Sequence, residues 1–195
     1  MPREDDRVPL HLDLVEDDVR GLRLLRPREA ESLISEEEFA RDEFLPYWAE
    51  LWPSALALAD VVTDRDVRGL DVLELGCGLG LPSLVAARGG ARVLATDWAD
   101  DALELLRTNA VRNDIELQTR KLDWREPGAL GTFDLVLAAD VLYERRYVDV
   151  LAGLLPDLGG EVLLADPGRP FLRPFLDLRP GVEIAPRVYA LTPQR

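Results

Sequence analysis

The chain has 195 residues, 47% of them apolar and 31% charged, which is the size and composition of one soluble globular domain; disorder is excluded, and no apolar run approaches the roughly 18 residues of a membrane span. A single cysteine, Cys77, rules out an intrachain disulfide, and with His11 as the one histidine no zinc-ligand spacing exists. The formal charge of -14 is uneven: residues 1–50 hold 15 Asp/Glu against 7 Arg, a field that repels phosphate backbones, so a nucleic-acid substrate is not expected.

A basic protein partner, a small-molecule substrate and a merely solubilising acidic surface all remain open. The start, "MPREDDRVPLHLDL", lacks an apolar core of signal-peptide length, so the expected location is cytoplasmic with no membrane partner. Alternation in "PLHLDLV" and "GLRLLRP" predicts two strands, and Ser35 followed by Glu38 predicts a capped helix over "SEEEFARDEF". Residues 1–45 are thus expected to be a strand/helix extension packed on a main domain of residues 46–195.

In "LPYWAELWPSALALADVV", Trp48, Leu51, Trp52, Ala55, Leu58, Ala59 and Val62 recur at helical spacing, with Pro53 suited to the first turn and Gly69 ending the connection. From Asp71 strand and helix alternate. "DVLEL", "RVLAT", "IELQT", "FDLVLAAD" and "EVLLAD" read as strands. A segment beginning near Pro82, then "DALELLRTNAV" with Leu103, Leu106 and Ala110 on one face, and "RRYVDVLAGLL" read as helices. Such alternation predicts an open α/β sheet, Rossmann-like and mostly parallel, with helices on both faces. The end, "VEIAPRVYAL", is expected to add one or two strands, antiparallel to the rest.

In sheets of this kind a ligand sits beyond the carboxyl ends of the strands, against the first strand-to-helix turn. Gly76, Gly78 and Gly80 occupy that turn with Cys77 among them. A dinucleotide fingerprint would put its third glycine at position 81, where Leu81 stands before Pro82, and the Walker pattern with its lysine is absent. The turn is "ELGCGLG", from Glu74 to Gly80, whose glycines let backbone approach a ligand while Glu74 adds a carboxylate suited to a cationic tail. Asp97 closes the second strand, where an acid accepts hydrogen bonds from ribose hydroxyls, and Trp98 follows it as a surface for adenine. "LDW" then brings Asp123 toward an exocyclic adenine amine, with Trp124 beside it. Either aspartate could instead cap the next helix. Taken in order, these residues describe a site for an adenosine with a positively charged tail, S-adenosyl-L-methionine.

"VLELGCGLGLPSL", "ATDW", "LDW" and "AADVLYERRY" resemble the family 16 class I methyltransferases, a group with protein lysine methyltransferases and nicotinamide N-methylase-like bacterial proteins. The resemblance spans about residues 20–175. Within the family, "GLRLLRPREAESL", "PYWAELWP" and "ADPGRP" are most similar to the electron-transfer-flavoprotein β-subunit lysine methyltransferases and their bacterial relatives. It implies the seven-strand class I methyltransferase sheet, S-adenosyl-L-methionine as cofactor, and a D-x-x-Y element matched by Asp140 and Tyr143 as the catalytic pair. It also implies a Trp-containing helix before the glycine turn, matched by "PYWAELWPSALAL" with Trp48 and Trp52, and Asp140 and Trp52 reaching the cofactor site. The N-P-P-Y turn of methyltransferases that act on base amines or glutamine amides is replaced here by "ADVLYE".

The resulting expectation is methyl transfer to a lysine amine of a protein. A small-molecule amine acceptor and a non-catalytic cofactor-binding module are the alternatives, and an NAD-dependent oxidoreductase fits least because of Leu81. Fold alone cannot decide among them. Trp48, Trp52 and Tyr143 are candidates to line the acceptor pocket, with core packing equally open for the two tryptophans.

Overall fold

The computed structural model describes residues 12–33 and 47–192. An antiparallel hairpin comes first: β1 (Leu14–Val19) and β2 (Leu22–Pro27). Arg20 and Gly21 join them, both at positive φ (55° and 70°), the backbone signature of a two-residue turn whose twist matches that of the strands. The first strand begins at Leu14, near the end of "PLHLDLV", and runs on to Val19. The predicted helix with Ser35 and Glu38 lies outside the described residues.

Leu22, Leu24 and Leu25 of β2 are buried in the same apolar cluster as the helices of the main sheet. The outer edge of β2 is met by two asparagines one turn apart on a helix described below. Asn109 accepts from Leu25 N (2.7 Å) and donates to Leu25 O (2.9 Å); Asn113 does the same for Arg23 (2.9 and 2.8 Å). Side-chain amides thus stand in for a neighbouring strand and leave no bare edge there.

The segment predicted as one long helix divides. A 3-10 turn covers Tyr47–Ala49, and α1 runs over Pro53–Thr63 with Pro53 at its first position. Proline biases the residue before it away from helical geometry, and Trp52 is extended (φ -67°, ψ 142°). Leu58, Ala59 and Val62 pack into the core, whereas Trp48, Leu51 and Trp52 lie ahead of the helix.

The sheet then follows as β3 (Asp71–Leu75), α2 (Leu81–Arg88), β4 (Arg92–Asp97), α3 (Asp100–Arg112), β5 (Gln118–Lys121), β6 (Leu135–Ala139), α4 (Arg146–Leu154), β7 (Glu161–Ala165), α5 (Leu172–Leu178), β8 (Gly181–Ala185) and β9 (Val188–Leu191). Its order is β5-β4-β3-β6-β7-β9-β8, with five parallel strands and β9 antiparallel to both neighbours. Side chains alternate across it. Val72, Leu135, Leu137, Leu163 and Ala165 pack with α1, α2 and α3, while Leu73, Leu75, Val136, Ala138 and Leu164 pack with α4 and α5. Helices therefore cover both faces, as predicted. Two details differ: β5 starts at Gln118, three residues after the predicted Ile115, because the end of α3 continues through a positive-φ Asp114. And α5, in "LRPFLDL", was hidden by Pro174, which is tolerated in its first turn.

The joint between β3 and α2 has an unusual seal. Gly76, Gly78 and Gly80 all have positive φ (66°, 50° and 73°). Gly80 stands at the N-cap of α2, where it has no side chain to offer the helix donors. Glu74, 1% exposed, reaches over from β3 instead: its Oε2 accepts from Ser83 N (2.9 Å) and from Ser83 Oγ. Burial pushes the Glu74 carboxyl up to about 8, against the smaller opposing effect of the Ser83 bonds.

Two outcomes follow. A raised folded-state pKa means that the native protein holds a proton which the unfolded chain releases, so the stabilisation is complete below the ordinary carboxylate range and is lost as pH rises through about 8. Denaturant titrations from acid to alkaline pH should show the wild type losing on the order of a few kcal/mol more than Glu74→Gln across that window. In Gly80→Ala, a Cβ would collide with the buried Leu106 side chain at a left-handed backbone position. Its unfolding free energy should fall by roughly 2 kcal/mol or more.

Candidate functional site

The order of strands reverses between β3 and β6, β4 lying on the one side of β3 and β6 on the other. Side chains at the carboxyl ends of β3, β4 and β6 border a cleft of about 680 Å³, within the usual range of small-molecule sites. The segment bearing Tyr47, Trp48, Leu51 and Trp52 forms another wall.

The glycine turn makes the floor. Its missing Cβ atoms serve the protein's own packing: a Cβ on Gly78 would lie 3.2 Å from Trp48 O, and one on Gly76 would lie 3.0 Å from the Trp124 ring. Cys77 borders the cleft, but its thiol is buried in the apolar cluster and its pKa is pushed well up by burial. It is an inert packing group in the sense of a thiol kept from ionising.

Asp97 ends β4 and is held by the turn itself. Oδ2 accepts from Gly78 N (2.8 Å) and Oδ1 from Ala99 N (2.9 Å). Burial raises its pKa, the backbone donors opposing. With Trp98 N as a third backbone donor, most of a carboxylate's roughly four acceptor sites are used, and about one is left for a ligand. Asp97 does not cap α3, whose N-cap is Ala99.

Trp98 is 41% exposed, with Lys121 Nζ and Arg125 Cζ over its ring at 5.4 and 5.8 Å. Asp123 is already engaged: Arg125 Nε and Nη2 grip both of its oxygens (2.7–3.1 Å) and Arg125 N donates as well. The sequence offered Asp123 to a ligand amine, but an arginine two residues on is the nearer donor. Trp124 packs edge-on against Tyr147, with centroids 5.0 Å apart.

Across the cleft, Asp140 follows β6 at φ 61°, its N–H bonded to Ala165 O at 2.8 Å. Its carboxylate is nearly sealed and pairs with Arg169 Nε. Tyr143 sits between Tyr47, tilted at 5.1 Å, and Tyr147, edge-on at 5.0 Å, and burial raises its pKa further above the ordinary phenol range. Trp52 donates Nε1–H to Tyr47 O (2.7 Å) and carries the Arg169 guanidinium over its ring at 5.6 Å. The fold thus brings together Trp52, Glu74, the three glycines, Asp97, Trp98, Asp123, Trp124, Asp140 and Tyr143 around one cleft. Sequence reasoning missed Arg169, Tyr47 and Tyr147. Only "ADPGRP" carried a trace of the first, as part of a resemblance.

Charge decides which ligands fit. Among the described residues, eight acidic residues line the cleft (Glu50, Glu74, Asp97, Asp100, Asp101, Asp123, Asp140 and Glu144), with Glu74 pushed up to about 8 and so neutral at pH 7, against four cations. All four cations are spent on acids of the same lining: Lys121 on Asp100, Arg125 on Asp123, Arg146 on Glu144 and Arg169 on Asp140. A diphosphate would meet no spare cation at this turn. An adenosine with a cationic tail fits the donor set: an acid with acceptor capacity at the end of β4, aromatic rings, and a buried carboxyl beside the turn. Among the described residues no group of His, Cys, Asp and Glu is placed to hold a metal ion, and no helix is long and apolar enough to cross a membrane.

Comparison with known proteins agrees with this geometry. The chain is similar to the electron transfer flavoprotein beta subunit lysine methyltransferase of Xenopus laevis, at 37% identity over 134 residues, covering 64% of this chain and 53% of the relative. It is also similar to the protein N-lysine methyltransferase METTL21A of Xenopus tropicalis, at 36% identity over 117 residues, covering 55% and 54% of the two chains. In both comparisons the chain spans about half the length of the curated relative. A solved structure of a T. thermophilus 16S rRNA N2 G1207 methyltransferase, in complex with AdoMet and guanosine, superimposes with a TM-score of 0.62 at 18% identity, covering 94% of this chain and 50% of the other, a likeness of fold. The lysine methyltransferase family model matches residues 46–163. With that match over more than half of its length, and with the sheet order and cleft described above, the chain belongs to the lysine methyltransferase family.

Proposed function

We propose that the chain is an S-adenosylmethionine-dependent N-methyltransferase whose acceptor is a lysine side chain of a protein. The observation that carries this reading is the two-sided cleft: the glycine turn and Asp97 face an aromatic wall that holds Asp140 and Tyr143, inside a lining with twice as many acids as cations. Family membership supports it. Bound there, the cofactor would supply a methyl group on a positively charged sulfur.

Asp97 would accept from a ribose hydroxyl with the capacity left after Gly78, Trp98 and Ala99. Backbone from Gly76 to Gly80, with Cys77 in it, would run along the tail, with Glu74 near its cationic end. Trp98 and Trp124 would flank the adenine, and Trp52 would border the cofactor beside Asp140. Asp123 would reach an adenine amine only by giving up part of its grip on Arg125.

The chain's own residues do the rest by position. A lysine must arrive without its proton, and from an ordinary pKa near ~10.4 that costs about 4.6 kcal/mol at pH 7. The walls of Trp52, Tyr47, Tyr143 and Tyr147 withdraw the amine from water, which disfavours its charged form. Asp140 accepts a hydrogen of the amine and so aims its lone pair, the near-attack placement on which an in-line displacement depends. Around the mouth, the excess of carboxylates favours a lysine set in a basic stretch of protein.

Titration calorimetry with S-adenosylhomocysteine tests the cofactor half: Asp97→Ala should bind at least about tenfold more weakly, or about 1.4 kcal/mol, and an unchanged dissociation constant would remove Asp97 from the ribose. Asp140→Ala should keep most of that affinity and lose transfer. For the acceptor half, the protein and tritiated S-adenosylmethionine are incubated with a host lysate lacking this enzyme. Label on a discrete protein band is expected; label confined to the low-mass fraction would mean a small-molecule acceptor, and cofactor binding with no label at all a non-catalytic module.

A further inference from the structure

Arg169 lies in the acceptor half of the cleft, held at both ends. Asp166, wholly buried at the end of β7, accepts from Gly168 N and Arg169 N (2.7 Å each) and fixes the backbone. The guanidinium lies over Trp52 and donates Nε–H to Asp140 Oδ1. Asp140 has only 5% of its side chain exposed, and it borders the cleft. Resting on the methyltransferase reading, we propose that Arg169 is a positioning residue that cancels the charge of Asp140, so that the site takes the acceptor lysine as the free amine and not as the ammonium ion.

The reason is electrostatic. A lone buried carboxylate beside a lysine stabilises the ammonium form, whose nitrogen has no lone pair for the methyl group. Asp140 alone would therefore oppose the reaction it is placed to aim. A guanidinium never gives up its proton in a protein, so pairing with it makes Asp140 part of a neutral couple at every relevant pH. Oδ2 is then left to accept N–H from a neutral amine, and the adjacent positive charge disfavours an ammonium. Lysine in place of Arg169 would keep the charge but lose the planar group whose Nε–H reaches Asp140 while its Cζ lies over Trp52.

Other charged groups face this pair. Asp166 lies behind it on β7, with Tyr189 of β9 beyond. Tyr143 and Tyr47 flank it, and Glu50, Asp97 and Glu74 lie along the same cleft. Of these, Glu74 titrates near about 8. Its ionisation adds negative charge and strengthens ammonium binding as pH rises, a rise that levels off above about 8 and is shared by every Arg169 variant, so the readout is the difference in slope between the wild type and Arg169→Gln.

The test uses the full chain saturated with S-adenosylhomocysteine and the probe Nα-acetyl-lysine methylamide, followed by NMR titration between about pH 7.5 and 9.5. Below its pKa near ~10.4 the free-amine fraction of the probe rises about tenfold per unit. Wild-type affinity should rise with that slope, Arg169→Gln should be nearly flat, and Arg169→Lys should keep most of the slope with weaker binding. In the double variant Arg169→Gln/Asp140→Asn, which removes the uncancelled carboxylate, the slope should return. A clamp with no electrostatic role would not be rescued in that way.

A flat wild-type profile, a wild-type slope in Arg169→Gln, or no probe binding to the wild type overturns the proposal. Should Arg169→Gln fail to fold, Arg169→Met, which also removes the charge and keeps a stem of similar length beside Trp52, takes its place with the matching double variant. Calorimetry with S-adenosylhomocysteine separates the two readings. Failure of the wild type to bind it sinks the methyltransferase reading itself, whereas normal binding with a flat probe profile sinks only the role of Arg169.

Discussion

Glu74 closes the turn between β3 and α2 from inside the protein, and the cleft is built around that joint. A carboxyl group with 1% exposure is costly to ionise, yet it takes both donors of Ser83 and replaces the cap that Gly80 cannot supply. With the helix start fixed, the turn has one path, and Gly78 N is aimed at Asp97. Thr96 Oγ1 donates to Glu74 O (2.7 Å) and Cys77 N to Thr96 O (2.9 Å), so the ends of β3 and β4 are tied by side chain as well as by ladder. The groups proposed to meet a cofactor are thus set before any ligand arrives, which lowers the ordering cost of binding.

The opposite wall depends on a second tie, between the ends of β6 and β7. Asp140 sits in a left-handed conformation that is uncommon for a residue with a Cβ. Its N–H on Ala165 O and its carboxylate on Arg169 hold it there. Strain of this kind persists only where the surroundings over-determine it, and it gathers at functional sites. The two halves of the cleft are tied in different ways: one by a buried carboxyl on the helix start, the other by an ion pair over an aromatic ring.

The hairpin at the start of the described chain packs on the main sheet's helices. Its apolar residues enter the cluster of α1, α2 and α3, and Asn109 and Asn113 pair with its edge. Arg112, between these asparagines on α3, pairs with Glu16, and Arg20 with Asp60. These surface pairs add little individually. The hairpin is held chiefly by buried leucines and by backbone groups that would otherwise lack partners.

Local chemistry made much of this legible in the sequence. Apolar runs marked the strands of the sheet because a strand covered on both faces must be apolar throughout. Pro53 marked a helix start, and the glycines at 76, 78 and 80 marked a turn that only positive φ can make. Leu81 excluded a dinucleotide for a reason confined to one position. What lay beyond the sequence was pairing between segments far apart in the chain. Asp140 and Arg169 are 29 residues apart, and nothing in either segment names the other; the order β3-β6-β7 puts their strand ends side by side. The engagement of Asp123 by Arg125 was open to inspection but needed the side chains' directions. The sequence determined the period of each element and the chemistry of each turn, because these depend on near neighbours. Tertiary structure alone decided which charged groups cancel and which remain to meet a ligand, because that depends on which strand ends the sheet brings together.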